Sequence, residues 1–294
     1  MAGPSDKPLS PSSSSAPEMV AANLTTVFNT LITGLHILHY NGVLDAYGHV
    51  SVRNPNNGSN FFMSRNIAPA LVANSSDLVE YYVEDAAPVD PNAPKGFIER
   101  YIHSELYKRF PSINSVVHSH SPQVVPYTFS GVPLRPSIHM AGFLGEVVPN
   151  FNITQYYEPG DNQDLLIRSQ RLGAALAAEF SSNHTLPNAT QTEADYAVVL
   201  MQNHGFTTVA SSIELAVMQA IYTQTNAGIQ TTALTISSQQ DLAYLTPQQT
   251  VQSWSTMAGT ADRPWGLWSH QVRSSNLYQN LLDPNQTQPA SPLL

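Results

Sequence analysis

Three short alternating segments near the start of the chain constrain its fold more than any other feature. Residues 49–53, 60–64 and 78–83 alternate between apolar and polar positions, and the turn Asn54-Pro-Asn-Asn-Gly58 joins the first two. This pattern is typical of antiparallel strands. Segments with helical spacing precede and follow them, which indicates an α/β domain with a mixed or antiparallel sheet. A continuous parallel βαβ series does not fit these hairpins.

The rest of the chain alternates between further helical and strand-like segments. Helices are predicted at Met19–Tyr40, Phe97–Phe110, Ser121–Ser130, Asp161–Phe180, Pro247–Met257 and Pro264–Leu282, and after Ser211, which forms a capping box with Glu214. Strands are predicted at Asn114–His120, Ser137–Met140, Tyr196–Gln202 and Phe206–Ala210. One domain is predicted over residues 18–282, between disordered tails at 1–17 and 283–294.

The composition excludes several classes of chemistry. The 294 residues include no Cys and three Lys, so disulfides, thiolate zinc sites and Cys nucleophiles are ruled out, and Schiff-base candidates are few. The net charge of −9 predicts no nucleic-acid partner. No apolar run reaches about 18 residues, which predicts no membrane span. Neither glycine-rich phosphate loop is present, so nucleotide binding has no support.

The compartment stays open between cytoplasmic and secreted. Seven N-glycosylation sequons favour a secretory route and a glycoprotein. They begin at Asn23, Asn57, Asn74, Asn152, Asn183, Asn188 and Asn285. Residues 1–17, in contrast, are polar and rich in Ser and Pro, without the apolar core of a signal peptide.

Histidines supply the strongest local signal for a site. His118 and His120 lie two apart at the end of a β-branched strand, so both face one side about 6.6–7 Å apart. Two such imidazoles can converge on one divalent ion. The alternative is a pair of surface histidines on a half-buried strand. Another candidate ligand is His204, which Gly205 follows in a turn, although it fits an exposed polar hairpin equally well.

An acidic residue is expected near these histidines. Glu99 and His103 are four apart on one helical face. Glu99 alone also fits a solvated carboxylate at a helix N-terminus. Glu105 is a rival acid and His103 a rival ligand, and spacing cannot choose among them.

Together these segments resemble the class II aldolase/adducin family over about Met19–Ile236. The most characteristic segment of the family is similar to His103–Tyr107 followed by Pro111–His120. Its later metal-binding turn is similar to Gln202–Gly205, and its Gly-Asn-x-Ser-x-Arg loop to Gly48–Arg53. The resemblance implies a three-layer α/β/α sandwich around a mainly antiparallel sheet, assembled as a homotetramer with sites near subunit interfaces. It further implies Zn²⁺, or Mn²⁺ or another divalent ion, held by His118, His120 and His204, with Glu99 as catalytic base.

Two departures from the sugar-phosphate aldolases point to a different substrate. Phe97-Ile98 replaces the Ser-Ser that holds a phosphate, and Ser64-Arg65-Asn66 replaces a Thr/Ser-Gly turn. Apolar side chains cannot hydrogen-bond a dianion, whereas the planar fork of Arg65 suits a carboxylate. The alternative for Arg65 is a surface position at a strand end.

A third departure is His139, which stands where the aldolases carry a catalytic Tyr. The run Val132–Gly145 is more similar to branches of the family that decarboxylate aromatic-derived oxo acids. The resemblance therefore implies that His139 is a proton donor, and a His can serve as general acid at neutral pH. The alternative is a core-strand His satisfied by the backbone.

The predicted function is that of a divalent-metal-dependent carbon–carbon lyase. It would stabilise an enolate during decarboxylation or retro-aldol cleavage of a small, non-phosphorylated oxo- or hydroxy-acid. Arg65, His49, Ser51 and Phe97 are predicted to bind this acid. The alternatives are an aldolase, epimerase or dehydratase for an unphosphorylated sugar acid, a metal hydrolase, and a non-catalytic adducin-like binding protein, which would be expected to lose the metal ligands.

Overall fold

A computed structural model describes residues 21–183, 192–238 and 241–286. Within these ranges one sheet has the strand order β3-β2-β1-β4-β7-β6-β5, and only the β5–β6 pair is parallel. The strands are β1 (His49–Arg53), β2 (Asn60–Ser64), β3 (Leu78–Tyr82), β4 (Ser115–Ser119), β5 (Asn150–Phe151), β6 (Val198–Met201) and β7 (Gly205–Ala210). The predicted early hairpins and the mainly antiparallel sheet are confirmed.

Helices cover both faces of this sheet. They are α1 (Leu24–Tyr40), α2 (Arg100–Arg109), α3 (Gln170–Ala178), α4 (Ile213–Ile236), α5 (Pro247–Ala258) and α6 (Asp262–Arg273). On one face α1 packs against α4 and α6, and on the other α2 packs against α3. None of the helices in the described part of the chain is both long and apolar enough to cross a membrane.

Alternating strand residues divide the apolar core into two halves. Val116 joins the cluster that contains Ile102 of α2 and Leu176 of α3, whereas Val117 joins the cluster that contains Leu35 of α1 and Val217 of α4. Successive side chains of a strand point to opposite faces, so a sheet with two apolar faces needs helices on both. The three-layer α/β/α architecture is therefore confirmed.

The predicted strand at Ser137–Met140 is wrong. A 3-10 helix begins at His139 and ends at Leu144, and the preceding residues are extended without a sheet partner. The backbone N–H of Ser137 donates to the Asn226 side chain on α4 instead. Side chains of a helix thus take the place of a strand ladder.

The predicted helix Asp161–Phe180 is also wrong in its first half, because α3 begins only at Gln170. Leu165 has a left-handed backbone with φ of 67°, which a helix does not tolerate. The N–H of Ile167 donates to Glu99 rather than within a helix. This stretch, residues 161–169, is called the rim segment below.

Smaller differences concern the ends of elements. Ser212, not Ser211, caps α4, because its side chain accepts the N–H of Leu215. The last helix ends at Arg273 instead of Leu282, and the predicted helix at 121–130 is a short 3-10 turn at Val125–Thr128. The predicted tail at 1–17 lies outside the described residues, as do residues 287–294 of the tail predicted at 283–294. Asp283 is buried and accepts a hydrogen bond from Arg273, so the described fold extends past 282.

His36 on α1 makes the stability of this fold depend on pH. Burial lowers its pKa from 6.5 to about 4, and its Nε2–H donates to the Val72 carbonyl at 2.8 Å. The unfolded chain binds this proton near pH 6.5 and the folded chain only near pH 4. The free energy of unfolding should therefore fall by about 3 kcal/mol between pH 6.5 and 4 through this group.

Denaturant titrations across that pH range test this with His36→Gln, which keeps a donor but does not titrate. The variant should lose the share of about 3 kcal/mol that His36 contributes to the fall between pH 6.5 and 4, while the other buried histidines keep theirs. His270→Gln, on the exposed side of α6, should keep the slope of the unchanged protein. Equal slopes for both variants would contradict the role of His36.

Candidate metal centre

The end of β4 brings two imidazoles together. His118 is fully buried within the strand, and His120 follows it on the same face, half-buried. Their Nε2 atoms are 3.0 Å apart. The spacing of two residues along a strand thus produces the convergence that the sequence predicted.

The turn between β6 and β7 supplies the third imidazole. Asn203 adopts a left-handed backbone with φ of 56°, and His204 Nε2 lies 3.2 Å from His120 Nε2. Gly205 makes this approach feasible, because a Cβ there would lie 2.0 Å from the carbonyl oxygen of Ser119. The glycine therefore sets how closely the turn can approach β4.

A carboxylate closes the cluster from the start of α2. Glu99 is the residue before that helix, and its Oε2 lies 3.7 Å from His118 Nε2 and 3.6 Å from His204 Nε2. Its Oε1 accepts the N–H of Ile167 at 2.9 Å. One ligand atom from each of these four residues lies within 4.8 Å of the others.

This donor set fits a divalent ion. Three nitrogens around a tetrahedral zinc at about 2.0–2.1 Å are separated by roughly 3.3 Å, close to the observed 3.0 and 3.2 Å. Nitrogens that meet at such distances repel one another unless a hydrogen or a cation lies between them. The carboxylate oxygen completes a mixed nitrogen–oxygen set typical of zinc, manganese or iron.

Burial sets the protonation of these groups. It lowers the pKa of His118 well below the ordinary range and that of His204 to about 4, so both imidazoles are neutral at physiological pH. The same loss of solvation raises the pKa of Glu99 to about 7. Neutral imidazoles are the form that binds metal ions.

A second layer of contacts orients the ligands. Asp45 lies 3.2 Å from His120 Nδ1 and accepts the N–H groups of Tyr47 and Gly48. Burial disfavours its charge, but these hydrogen bonds hold the pKa of Asp45 far below its usual range. An ionised Asp45 accepts the Nδ1 proton of His120 and leaves Nε2 free for a metal. Sequence reasoning missed Asp45, although an Asp three residues before a Gly is typical of such a turn.

A pocket of about 510 Å³ lies above the cluster. The described residues that line it include neither Lys nor Arg, and its wall is largely apolar. They are Tyr47, His49, Asn66, Phe97, Ile98, Glu99, His120, Asp164, Leu165, Leu166, Asn203 and His204. The rim segment thus forms one side of the pocket, which the sequence did not indicate.

The other predicted substrate-binding residues occupy different places. His49 and Phe97 line the pocket, with ring centroids 4.8 Å apart. Ser51 lies beneath His49, with its hydroxyl bonded to His103 and Tyr107. His103, the rival ligand, is therefore outside the metal cluster.

Arg65 and His139 do not line the pocket either. Arg65 Nε donates to Asp77 at 3.0 Å, while its neighbour Asn66 reaches the pocket. His139 is exposed at the start of its 3-10 helix. The roles predicted for these two residues therefore remain predictions.

Known proteins share sequence similarity with this chain. The model of the class II aldolase and adducin N-terminal domain matches residues 30–231. The chain belongs to this family. It is 48% identical over 260 residues to the decarboxylase tropJ of Talaromyces stipitatus, covering 86% of this chain and 96% of that protein. The expected similarity to the decarboxylase-like branch is confirmed.

More distant relatives agree with this placement. A 3,4-dihydroxyphthalate decarboxylase of Arthrobacter keyseri is 32% identical over 128 residues, 44% of each chain. An L-fuculose 1-phosphate aldolase from Glaciozyma antarctica superposes with a TM-score of 0.64 at 18% identity, covering 90% of this chain and 97% of that one. An aldolase II superfamily protein from Pseudomonas syringae gives 0.67 at 18% identity, covering 90% and 98%. The two solved structures support the fold.

Gly205→Ala should disrupt the turn that carries His204. The added Cβ would meet the Ser119 carbonyl, and backbone cannot yield as a flexible side chain does. We expect a loss of about 1–3 kcal/mol in the free energy of unfolding and weaker metal retention. Thermal unfolding and metal analysis measure both effects.

Gly266→Ala is the matched control, since nothing lies within 4 Å of its Cβ and it sits in α6. It should be neutral or stabilise the protein by up to about 1 kcal/mol. Equal behaviour of the two alanine variants would refute the close approach at Gly205.

Proposed function

We propose that the chain is a divalent-metal-dependent decarboxylase that acts on a small, non-phosphorylated oxo- or hydroxy-acid. The observation that carries the proposal is the convergence of His118, His120, His204 and Glu99 beside a pocket whose described lining includes no Lys or Arg. A phosphate dianion would be poorly matched there. Family membership and the decarboxylase relatives already support a lyase.

The proposed reaction leaves an electron pair next to a carbonyl group. His118, His120 and His204 would hold the ion, with Zn²⁺ or Mn²⁺ as candidates. The ion supplies Lewis-acid stabilisation of the developing enolate charge. Glu99 would hold or move a proton at Oε2, because this carboxylate lines the pocket and lies 3.6–3.7 Å from the nitrogens of His118 and His204.

The pocket walls support loss of a carboxylate. Phe97 and Ile98 from the segment before α2, and Leu165 and Leu166 from the rim segment, form its apolar side. An apolar wall excludes water and disfavours a charged carboxylate relative to neutral CO₂. The 3,4-dihydroxyphthalate of a relative's name combines an aromatic ring, adjacent oxygens and carboxylates. We propose a substrate of this general kind.

Three further residue roles belong to the same proposal. Arg65 would bind a substrate carboxylate that extends beyond the lining residues, next to Asn66 and while still paired with Asp77. We also retain His139 as proton donor within the proposed homotetramer, where its exposed ring is free to face a neighbouring subunit. Ser51 would act from beneath His49, through its hydrogen bond to His103.

The metal ligands are tested by the double variant His118→Ala, His120→Ala. Elemental analysis of the purified protein should show about one divalent ion per chain for the unchanged protein and none for the variant. His270→Ala, on the exposed side of α6, should keep the ion. A double variant that retains its metal would place the site elsewhere.

The reaction class is tested by product analysis with 3,4-dihydroxyphthalate and small aromatic oxo acids. CO₂ release supports the proposal, while aldehyde release indicates retro-aldol cleavage. Glu99→Gln should lower kcat by about 100-fold or more because it removes the proton-transfer group.

The matched control is Glu105→Gln on the same helix, whose carboxylate pairs with Lys108 at 2.9 Å outside the metal cluster. It should stay within a few-fold of the unchanged protein. If Glu105→Gln lowered kcat more than Glu99→Gln does, Glu105 would be the catalytic acid.

A further inference from the structure

A series of hydrogen bonds through four buried side chains leads from the interior to the pocket. Tyr107 Oη lies 2.7 Å from Ser51 Oγ, and Ser51 Oγ lies 2.6 Å from His103 Nδ1. His103 Nε2 lies 2.7 Å from His49 Nδ1. His49 lines the pocket, so this series of hydrogen bonds ends at the pocket wall.

Within the described residues, neither end of this series of hydrogen bonds has a competing hydrogen-bond partner. All four side chains are at most 1% exposed. Ser51 is the hydrogen-bond partner of Tyr107 Oη. The guanidinium of Arg53 stacks on the Tyr107 ring at 4.8 Å, and its N–H groups donate to backbone carbonyls. It therefore offers the phenol no acceptor.

Three arrangements of hydrogens satisfy all three bonds when both imidazoles are neutral. Burial lowers the pKa of His103 to about 3, which excludes its protonated form at physiological pH. In the forward arrangement Tyr107 donates to Ser51, Ser51 to His103 Nδ1, and His103 Nε2–H to His49 Nδ1. The remaining hydrogen of His49 then sits on Nε2.

Both other arrangements leave a buried donor without an acceptor. In each, His49 Nδ1–H donates to His103 Nε2 and His103 Nδ1–H donates to Ser51 Oγ. Either Ser51 then donates to Tyr107 Oη and the phenolic O–H has no acceptor, or Tyr107 donates to Ser51 Oγ and the serine O–H has none. An unsatisfied buried donor disfavours each of these arrangements by a factor of roughly 5 to 150.

We propose that this series of hydrogen bonds fixes His49 as the Nε2–H tautomer, so that His49 donates a hydrogen bond into the pocket. The hydrogen-bond acceptor is an oxygen of the substrate, such as a carboxylate or enolate oxygen. His49 touches the substrate, whereas His103, Ser51 and Tyr107 are positioning residues that act through it. The choice of an acid as substrate rests on the proposed function, but the tautomer does not.

The tautomer gives the pocket a neutral donor in place of a cation. A donor fixed before binding loses no orientational freedom when charge develops on the oxygen it faces. The same donor rejects groups that present an N–H at this position, because two donors cannot pair. Substrate selection at His49 is therefore for oxygen acceptors over N–H donors such as an ammonium group.

The tautomer is measured directly by ¹⁵N NMR of the full-length, metal-loaded protein labelled at histidine. His49→Gln and His103→Gln identify the signals of these residues by their disappearance. We expect a pyridine-type Nδ1 and a protonated Nε2 for His49, and the same pattern for His103. A protonated Nδ1 on His49 would overturn the proposal, whatever the enzyme's substrate proves to be.

Ser51→Ala tests whether the series of hydrogen bonds sets the tautomer of His49. It removes the donor to His103 Nδ1, so the two tautomers of His49 become comparable in energy and the His49 Nδ1 shift should move towards an intermediate value. Ser115→Ala is the matched control, since this buried serine on β4 donates only to the Ser51 carbonyl. The control should leave the shift unchanged.

A binding readout accompanies the spectra, with 3,4-dihydroxyphthalate as the probe. Its dissociation constant should rise about fivefold or more in Ser51→Ala, and remain within twofold in Ser115→Ala. Unchanged shifts and affinity in Ser51→Ala would show that the chain does not position His49. Failure of the probe to turn over would count against the proposed function alone, because the shifts report the tautomer independently.

Discussion

The antiparallel pairing of β4 with both β1 and β7 is the constraint on which the site depends. In this register His49 lies opposite His118, and His118 lies opposite Thr207. A slip of one residue would turn every side chain of β4 to the other face and move His118 into the opposite apolar cluster. Apolar residues on both faces, such as Val116 and Val117, specify the register. Packing of the two cores thus fixes the geometry of the candidate metal centre.

Burial then gives each polar group near the site a defined protonation and direction. The imidazoles of His118 and His204 are neutral because they have lost solvent, while Asp45 stays charged because three N–H groups face it. The hydroxyl and imidazole chain below His49 is polarised for the same reason, since a buried donor without a partner is unfavourable. The fold therefore supplies orientation as well as position.

A structural feature could be predicted from the sequence where residues close together in the chain determine it. His118 and His120 follow from strand periodicity, and the three layers follow from alternating apolar residues. His204 and Glu99 are distant in sequence, and only the family resemblance joined them to these histidines. The rim segment was predicted as helix because its composition suits one, whereas tertiary contacts of Leu165 and Ile167 decide its backbone. Asp77 as the partner of Arg65 was likewise unpredictable, because ion pairing depends on the folded geometry.

The rim segment links two properties that could have been independent. Leu165 and Leu166 shape the pocket wall, and the next residue, Ile167, holds Oε1 of Glu99 through its backbone N–H. A substitution or insertion that enlarges the pocket here also shifts the carboxylate. In evolutionary terms, a new substrate size gained through this loop would come together with altered proton transfer.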